Sequence, residues 1–574
     1  MKYFLLFLFF TAVYLIPLGG RPLVAPDEFR YAQIPLEMLE SGNWAAPQMF
    51  GLPYFEKPAL GHWMTAVNLK LFGCNAFAIR LAAALSVGLT ALIVGLTVLS
   101  ALHDKRLAML SVMMFLCCGM VYGLGVFAVL DSPMALFSAG AMACAFGYLQ
   151  KNTPRMRKII MLILCGVFCG LGFMTKGAPA LVVAGLGVVG FLIWERRWKE
   201  FFIMPWLPLV CAILTVLPWA VAVHRADSDF WRYFWVVEHW QRFTGSAEGQ
   251  HPEPWYFLLP FFFGGAFPAA FLLLSGWGQF RSVLRKMRQQ ELYRYMLCCA
   301  VLPLILFSCS SGKLPTYILP CFPAIAILMA GFTATALRSS EKSENILHCF
   351  FDILGWSIAV AGILAVPVGI LLQSKLQLPV ELPEKLLYTA PLLLAGGAAC
   401  AASGTLLLLS RKKPLRSRLC FCALLFAIPA LVLPFFIDWK LNPDKMPQGV
   451  LRKMQTATRV RSDDVHIVTI PSLMHAAAWH FHTKDVQLIN SIGEMEYGEM
   501  RAIRDGKRRM RLDREALIRL VKNPDRKDVL YIHWSDRRPV VVPGIEPAVI
   551  FHDPAISARL YPGKRKAGKE KLHK

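Results

Sequence analysis

About thirteen apolar runs, each near the twenty residues a helix needs to cross a hydrocarbon layer, fill this chain as far as residue 437. They fall at 2–18, 76–102, 107–123, 125–149, 159–174, 178–194, 202–223, 255–280, 295–311, 317–337, 349–372, 387–410 and 418–437. A chain so patterned is expected to be an α-helical polytopic membrane protein of about 13 transmembrane helices. The first run has only Lys2 as a charged lead. Pro17-Leu18-Gly19-Gly20-Arg21 after it lacks a small-residue cleavage site, so it reads as an uncleaved anchor.

The loops between runs set an orientation. With the N-terminus in the cytoplasm, the cytoplasmic loops are His103-Asp104-Lys105-Arg106 and residues 151–158, 195–200, 281–294, 338–344 and 411–418, and all are rich in Lys or Arg. The opposite set is short or balanced, as in Thr175-Lys176-Gly177 and Ser311-Gly312-Lys313. This bias obeys the positive-inside rule, and an odd number of crossings then puts the C-terminal region outside. The same bias accounts for 61 Lys and Arg against 37 Asp and Glu, a formal charge of +24. The basic residues bracket apolar runs or lie in the last quarter of the chain, so no nucleic-acid partner is expected. All fifteen cysteines lie between Cys74 and Cys422, most within apolar runs, where they act as small hydrophobes. The exported tail therefore folds without disulfides.

Two domains follow. Residues 1–437 form the transmembrane domain, with exported loops at 19–75 and 224–254. The first loop holds two amphipathic stretches, Asp27–Glu40 and Pro58–Phe72, expected as helices on the membrane surface. Residues 438–574 read as a small extracytoplasmic α/β domain with a basic tail. Strands are expected at Val465–Ile470, Val486–Ile489 and Val529–His533, with a helix through Trp479. The run from Arg501 to Arg514 reads as a solvated helix face, with a surface for an anionic membrane or substrate as the functional alternative.

Charges beside apolar segments are costly and mark function. They gather on the exported side: Asp27 and Glu28, Tyr54-Phe55-Glu56-Lys57-Pro58, Asp131 some two turns into the fourth run, Lys176 at the start of the sixth, Glu238-His239 with Arg242, and Lys313 with Tyr317. Such a set suits group transfer from a phosphate leaving group. Asp27 and Asp131 would orient or deprotonate an acceptor. Lys57, Arg242 and Lys313 would take the charge that develops on a departing phosphate. Glu56 and His239 offer ligands to a divalent metal, Zn or Mg/Mn. No nucleotide sugars exist outside the cytoplasm and the chain has no glycine-rich phosphate loop. A sugar used there must arrive on a lipid carrier such as a polyprenyl phosphate. Each residue has a plainer reading as well: Asp27 as a helix cap, Asp131-Ser132-Pro133 as a helix start or kink, Glu56-Lys57 as an interfacial pair, His239 as one more residue at a wet aromatic surface.

Taken in order, Pro26-Asp27-Glu28-x-Arg30-Tyr31-Ala32, Tyr54-Phe55-Glu56-Lys57-Pro58, Leu130-Asp131-Ser132-Pro133, Thr175-Lys176-Gly177, Glu238-His239-x-x-Arg242-Phe243 and Lys313-Leu314-Pro315-x-Tyr317 resemble the motifs of the aminoarabinose transferase family. That family lies within the protein-mannosyltransferase-like, C-type membrane glycosyltransferases. The resemblance runs from about residue 20 to 335; Gln33, Pro35 and Leu36 depart from the more charged helix associated with the first motif. It implies a C-type glycosyltransferase fold in a bacterial inner membrane, with a periplasmic C-terminal domain. It implies inverting transfer of a sugar from undecaprenyl phosphate to an acceptor such as lipid A or another envelope glycan or protein. Asp27 and Asp131 are then the catalytic carboxylates, with Glu28 beside them. Tyr54, Lys57, Lys176, Arg242, Lys313 and Tyr317 hold the lipid phosphate, and Glu56 and His239 a metal. The rivals are a lipid or solute transporter, which would bind substrate near the midplane in related halves, and a scaffold, which leaves the charged motifs without a purpose.

Overall fold

The computed structural model describes residues 2–151, 153–241, 252–374, 384–460, 465–506, 509–523 and 527–563. The chain divides into two compact units, Met1–Arg21 with Glu56–Ile437, and Pro22–Phe55 with Asp438–Lys574. The first half of the exported loop is thus grouped with the C-terminal residues rather than with the helices that flank it.

The first unit is a helical bundle, and the protein is a polytopic membrane protein. Among the described residues, nine helices are long and apolar enough to cross a membrane, and Tyr3–Gly19 and Ala178–Trp194 are shorter apolar helices. Two of the expected single runs are instead broken. Residues 107–123 divide into Lys105–Leu116 and Gly119–Gly125, and residues 255–280 into Leu258–Gly264 and a 3-10 stretch, Ala269–Gln279. The breaks answer one another: Gly119 N donates to Phe267 O at 2.7 Å and Met120 N to Gly265 O at 3.0 Å. Backbone groups released from helices cannot be left to lipid, and here each break satisfies the other inside the protein.

Close packing rests on small residues. Helix Arg155–Lys176 carries Gly166 and Gly170 toward helix Trp206–Ala226, and a Cβ at Gly166 would lie 2.4 Å from Pro208 O. Without a hydrophobic drive between helices in lipid, such close backbone approach is what associates them. Buried polar side chains turn back on backbone: Tyr14 donates to Leu116 O at 2.6 Å, and the fully buried Arg80 donates to Leu18 O and Arg21 O at 2.6 and 3.0 Å. Large apolar residues on the outer helices, such as Phe202, Trp206 and Leu214, are exposed.

The second unit is α/β. Its sheet comprises β3 (Val465–Thr469), β4 (Val486–Ile489), β5 (Arg511–Leu512), β6 (Asp528–Trp534), β7 (Val549–His552) and β8 (Ile556–Tyr561), in the order β5-β4-β3-β6-β8-β7. A short hairpin of β1 (Gln48–Met49) and β2 (Leu52–Pro53) lies in the loop segment. The β5, β4, β3 and β6 neighbours are parallel, whereas β8 pairs antiparallel with β6 and β7. The three expected strands and the helix Met474–Phe481 are present. The basic run is not one helix: Glu496–Arg504 is helical, and Arg511–Leu512 is the edge strand β5. Helix Asp27–Ser41 packs on helix Met474–Phe481.

Candidate active site

Within the bundle the predicted residues meet at helix ends. Asp131 is the first residue of helix Asp131–Leu149, not two turns inside a span, because Gly119–Gly125 ends early and 126–130 are non-helical. Lys176 is the last residue of Arg155–Lys176 rather than the first of the next helix. The chain turns there at Gly177, whose φ is +78°, a conformation L side chains rarely adopt. These two helix ends bring Lys176 Nζ to 2.6 Å from Asp131 Oδ1, both side chains largely buried, and the ammonium lies 4.9 Å from the Tyr317 ring centroid. Tyr317 sits on the 3-10 turn Pro315–Cys321.

A second ion pair adjoins it through the backbone at Gly177. Residues Tyr233–Gln241 form a π-type helix that carries Glu238 and His239. The Glu238 carboxylate accepts from Lys57 Nζ at 2.8 Å, and Lys57 also donates to Glu56 O at 2.9 Å. Lys57 is thus paired across 181 residues, with a carboxylate that its own motif does not contain. His239 Nδ1 donates to Phe234 O at 2.8 Å, and its Nε2 accepts from Ala178 N at 3.1 Å. A Cβ on Gly177 would stand 2.6 Å from that Nε2. A metal at His239 and Glu56 would need the lone pair that Ala178 N–H occupies, so this donor set does not fit a metal as arranged. Lys313 is buried, donates to Glu253 O at 2.6 Å and lines an open cleft of about 930 Å³ with Trp255, Leu259, Leu304 and Ser308. Arg242 lies outside the described residues.

In the second unit, helix Asp27–Ser41 has Pro26 before it and no side-chain cap. Asp27 is therefore not spent on the first-turn amides. Glu28 does local work instead: it is fully buried and accepts from Val24 N at 2.9 Å. Asp27 Oδ1 takes Arg30 Nη1 at 3.2 Å, with 45% of the Asp27 side chain exposed. On its other edge Arg30 reaches Glu494, with Nη2 2.8 Å from Oε2 and Nε 3.1 Å from Oε1. His475 Nε2 meets Glu494 Oε1 at 2.5 Å, and Tyr54 Oη lies 3.5 Å from Oε2. Burial works to raise the Glu494 carboxyl, but the Arg30 and His475 partners overcome it and hold the group at about 2. Sequence reasoning passed over Glu494 and His475. The available signal was an acid just past the carboxyl end of an expected strand, where α/β sheets carry functional groups.

A polytopic helical bundle with two buried carboxylate–lysine pairs, together with an α/β unit, is the plan of a membrane glycosyltransferase. The description of the family model that matches residues 1–234 is dolichyl-phosphate-mannose-protein mannosyltransferase. Longer matches are finer. The undecaprenyl phosphate-alpha-4-amino-4-deoxy-L-arabinose arabinosyl transferase of Erwinia tasmaniensis is 37% identical over 503 residues, 87% of each chain. Arabinosyl transferase 1 of Sodalis glossinidius is 35% identical over 561 residues, covering 96% of this chain and 95% of its own. The crystal structure of ArnT from Cupriavidus metallidurans bound to undecaprenyl phosphate has the same fold, with a TM-score of 0.81 over 98% of both chains at 22% identity. The chain belongs to the undecaprenyl phosphate-aminoarabinose arabinosyl transferase family.

Proposed function

We propose that this protein is an inverting glycosyltransferase that moves 4-amino-4-deoxy-L-arabinose from undecaprenyl phosphate to lipid A or another envelope acceptor. The observation that carries the reading is the two buried carboxylate–lysine pairs, Asp131–Lys176 and Glu238–Lys57, in a chain of this family. In the displacement the acceptor oxygen bonds to the anomeric carbon from the face opposite the phosphate. The carbon–oxygen bond to the lipid phosphate breaks, and the phosphate leaves with the electron pair. Asp27, half exposed and held by Arg30 on one side only, takes the acceptor's proton. Asp131, fixed by Lys176, orients the reacting groups. Lys57, Lys176, Lys313 and Arg242, with the hydroxyls of Tyr54 and Tyr317, stabilise the charge that grows on the leaving phosphate.

The reading places the protein in a bacterial inner membrane, with the N-terminus in the cytoplasm and the C-terminal domain in the periplasm. A count of thirteen crossings is supported by the nine long apolar helices, two shorter ones and two broken segments among the described residues, and the orientation by the six basic loops. Mass spectrometry of lipid A and envelope glycans tests the function. Cells expressing the protein should carry the added aminoarabinose, and cells expressing Asp131→Asn should not. Identical spectra from both would refute the proposal.

A further inference from the structure

We propose that Glu494 is a positioning residue for the transfer reaction: from the carboxyl end of β4 it grips Arg30 and, through Arg30, fixes the Asp27 carboxylate. This rests on the reading of Asp27 as a catalytic carboxylate. The α/β domain then contributes to chemistry rather than only to acceptor choice.

By itself Asp27 has little to fix its orientation. Its helix lacks a side-chain cap, and the contact with Arg30 is an i,i+3 pair with a partly exposed partner. Such pairs at a wet surface are weak and do not hold a carboxylate in one orientation. Arg30 is stiff because of its other edge. Its Nε and Nη2 fork onto both oxygens of Glu494, with the two side chains 17% and 16% exposed. A planar guanidinium held at two points on a carboxylate has its plane set, which leaves the Nη1 edge pointing one way, at Asp27.

Glu494 is fixed in turn. His475, 1% exposed on the helix that follows β3, meets it through Nε2. Among the described residues the His475 Nδ1 has no hydrogen-bond partner, so the contact with Glu494 is the one that anchors the ring. Phe50 stacks on that ring at 5.9 Å between centroids. The carboxyl ends of β3 and β4, where doubly wound sheets present ligand-binding groups, here receive Arg30 of the chain's own loop segment. The alternative is that Glu494–Arg30 merely tethers residues 22–55 to the domain.

Kinetics separate the two. Glu494→Gln keeps the size of the side chain and removes its charge. Positioning predicts that kcat falls about tenfold or more while KM for donor and acceptor stays within about twofold. In an Arg30→Gln background Glu494→Gln should have no further effect on kcat, because both act through one contact. Arg30→Lys keeps the charge, loses the fork and should reproduce the loss, so a failure of Glu494→Gln to fold leaves a second test. Asp27→Asn is measured beside them. If Asp27→Asn turns over normally, the reading of Asp27 falls and the proposal with it. If Asp27→Asn is inactive while the folded Glu494→Gln or Arg30→Lys protein keeps native kcat, the tether is right and the proposal alone is overturned.

Discussion

Asp131 and Lys176 are worth more to each other than either is to the fold, since both lie largely buried beside helix ends and their 2.6 Å contact satisfies two charges at once. Asp131→Asn should therefore lower turnover by at least about a hundredfold, measured on purified protein, with membrane insertion retained. Lys57→Ala should weaken both transfer and binding of a short-chain polyprenyl phosphate, because it removes a buried cation and its ion pair with Glu238. At Gly177 an added methyl meets a backbone of positive φ and the His239 ring, so Gly177→Ala should cut activity about tenfold or more without loss of donor lysines. The engagement of both His239 nitrogens predicts that a chelator leaves turnover within about twofold. A chelator-induced loss restored by zinc would show that His239 exchanges Ala178 N–H for metal. The sequence told which residues carry charge where charge is expensive. It did not tell their partners: Glu238 for Lys57 and Glu494 for Arg30 are joined only by tertiary folding, across 181 and 464 residues.

Helices were legible as runs of hydropathy, and breaks within them were not. A hydropathy window averages over Cys117-Cys118 and Phe267-Pro268, whereas the breaks depend on the hydrogen bonds each segment offers the other. The same limit applies in the sheet, where the two-residue strand β5 carries no periodicity of its own and β7 and β8 escaped the pattern search. Side-chain size at helix crossings is decisive. Gly166→Ala would place a Cβ 2.4 Å from Pro208 O, which is backbone and cannot rotate away. The substitution should destabilise the packing of Arg155–Lys176 on Trp206–Ala226 by about 1–3 kcal/mol. A lowered midpoint in thermal unfolding would register it. Because Trp206–Ala226 leads to the segment with Glu238 and His239, activity should fall as well.

At the scale of the whole chain, the α/β unit should be the acid-sensitive one. Burial, with Arg452 and His482 nearby, depresses His480 to about 4, so the folded state resists a proton that the unfolded chain accepts near 6.5. Stability from this group is complete above 6.5 and lost as the pH falls toward 4. Glu494, held at about 2 against an ordinary 4.5, adds stability above 4.5 that disappears as the pH falls toward 2. Each displacement corresponds to roughly 3 kcal/mol at full effect. Hydrogen-exchange protection factors in β3, β4 and β6, corrected for the intrinsic rate at each pH, should therefore fall below pH 6 before those in the bundle do. Orientation has its own check: in a cysteine-free background, an impermeant thiol reagent should label Arg537→Cys from the periplasm and Arg285→Cys only from the cytoplasm, both sites being exposed.

The central claim, that this chain catalyses sugar transfer through Asp27 and Asp131, is tested most directly with purified protein, undecaprenyl phosphate-linked aminoarabinose and lipid A in one vesicle. Product is followed by mass and by the anomeric configuration of the new bond. The account predicts acceptor carrying the sugar with inverted configuration for the native chain, and none above background for Asp27→Asn or Asp131→Asn. Native turnover by either variant, or movement of the intact donor across the bilayer with no modified acceptor, would contradict it.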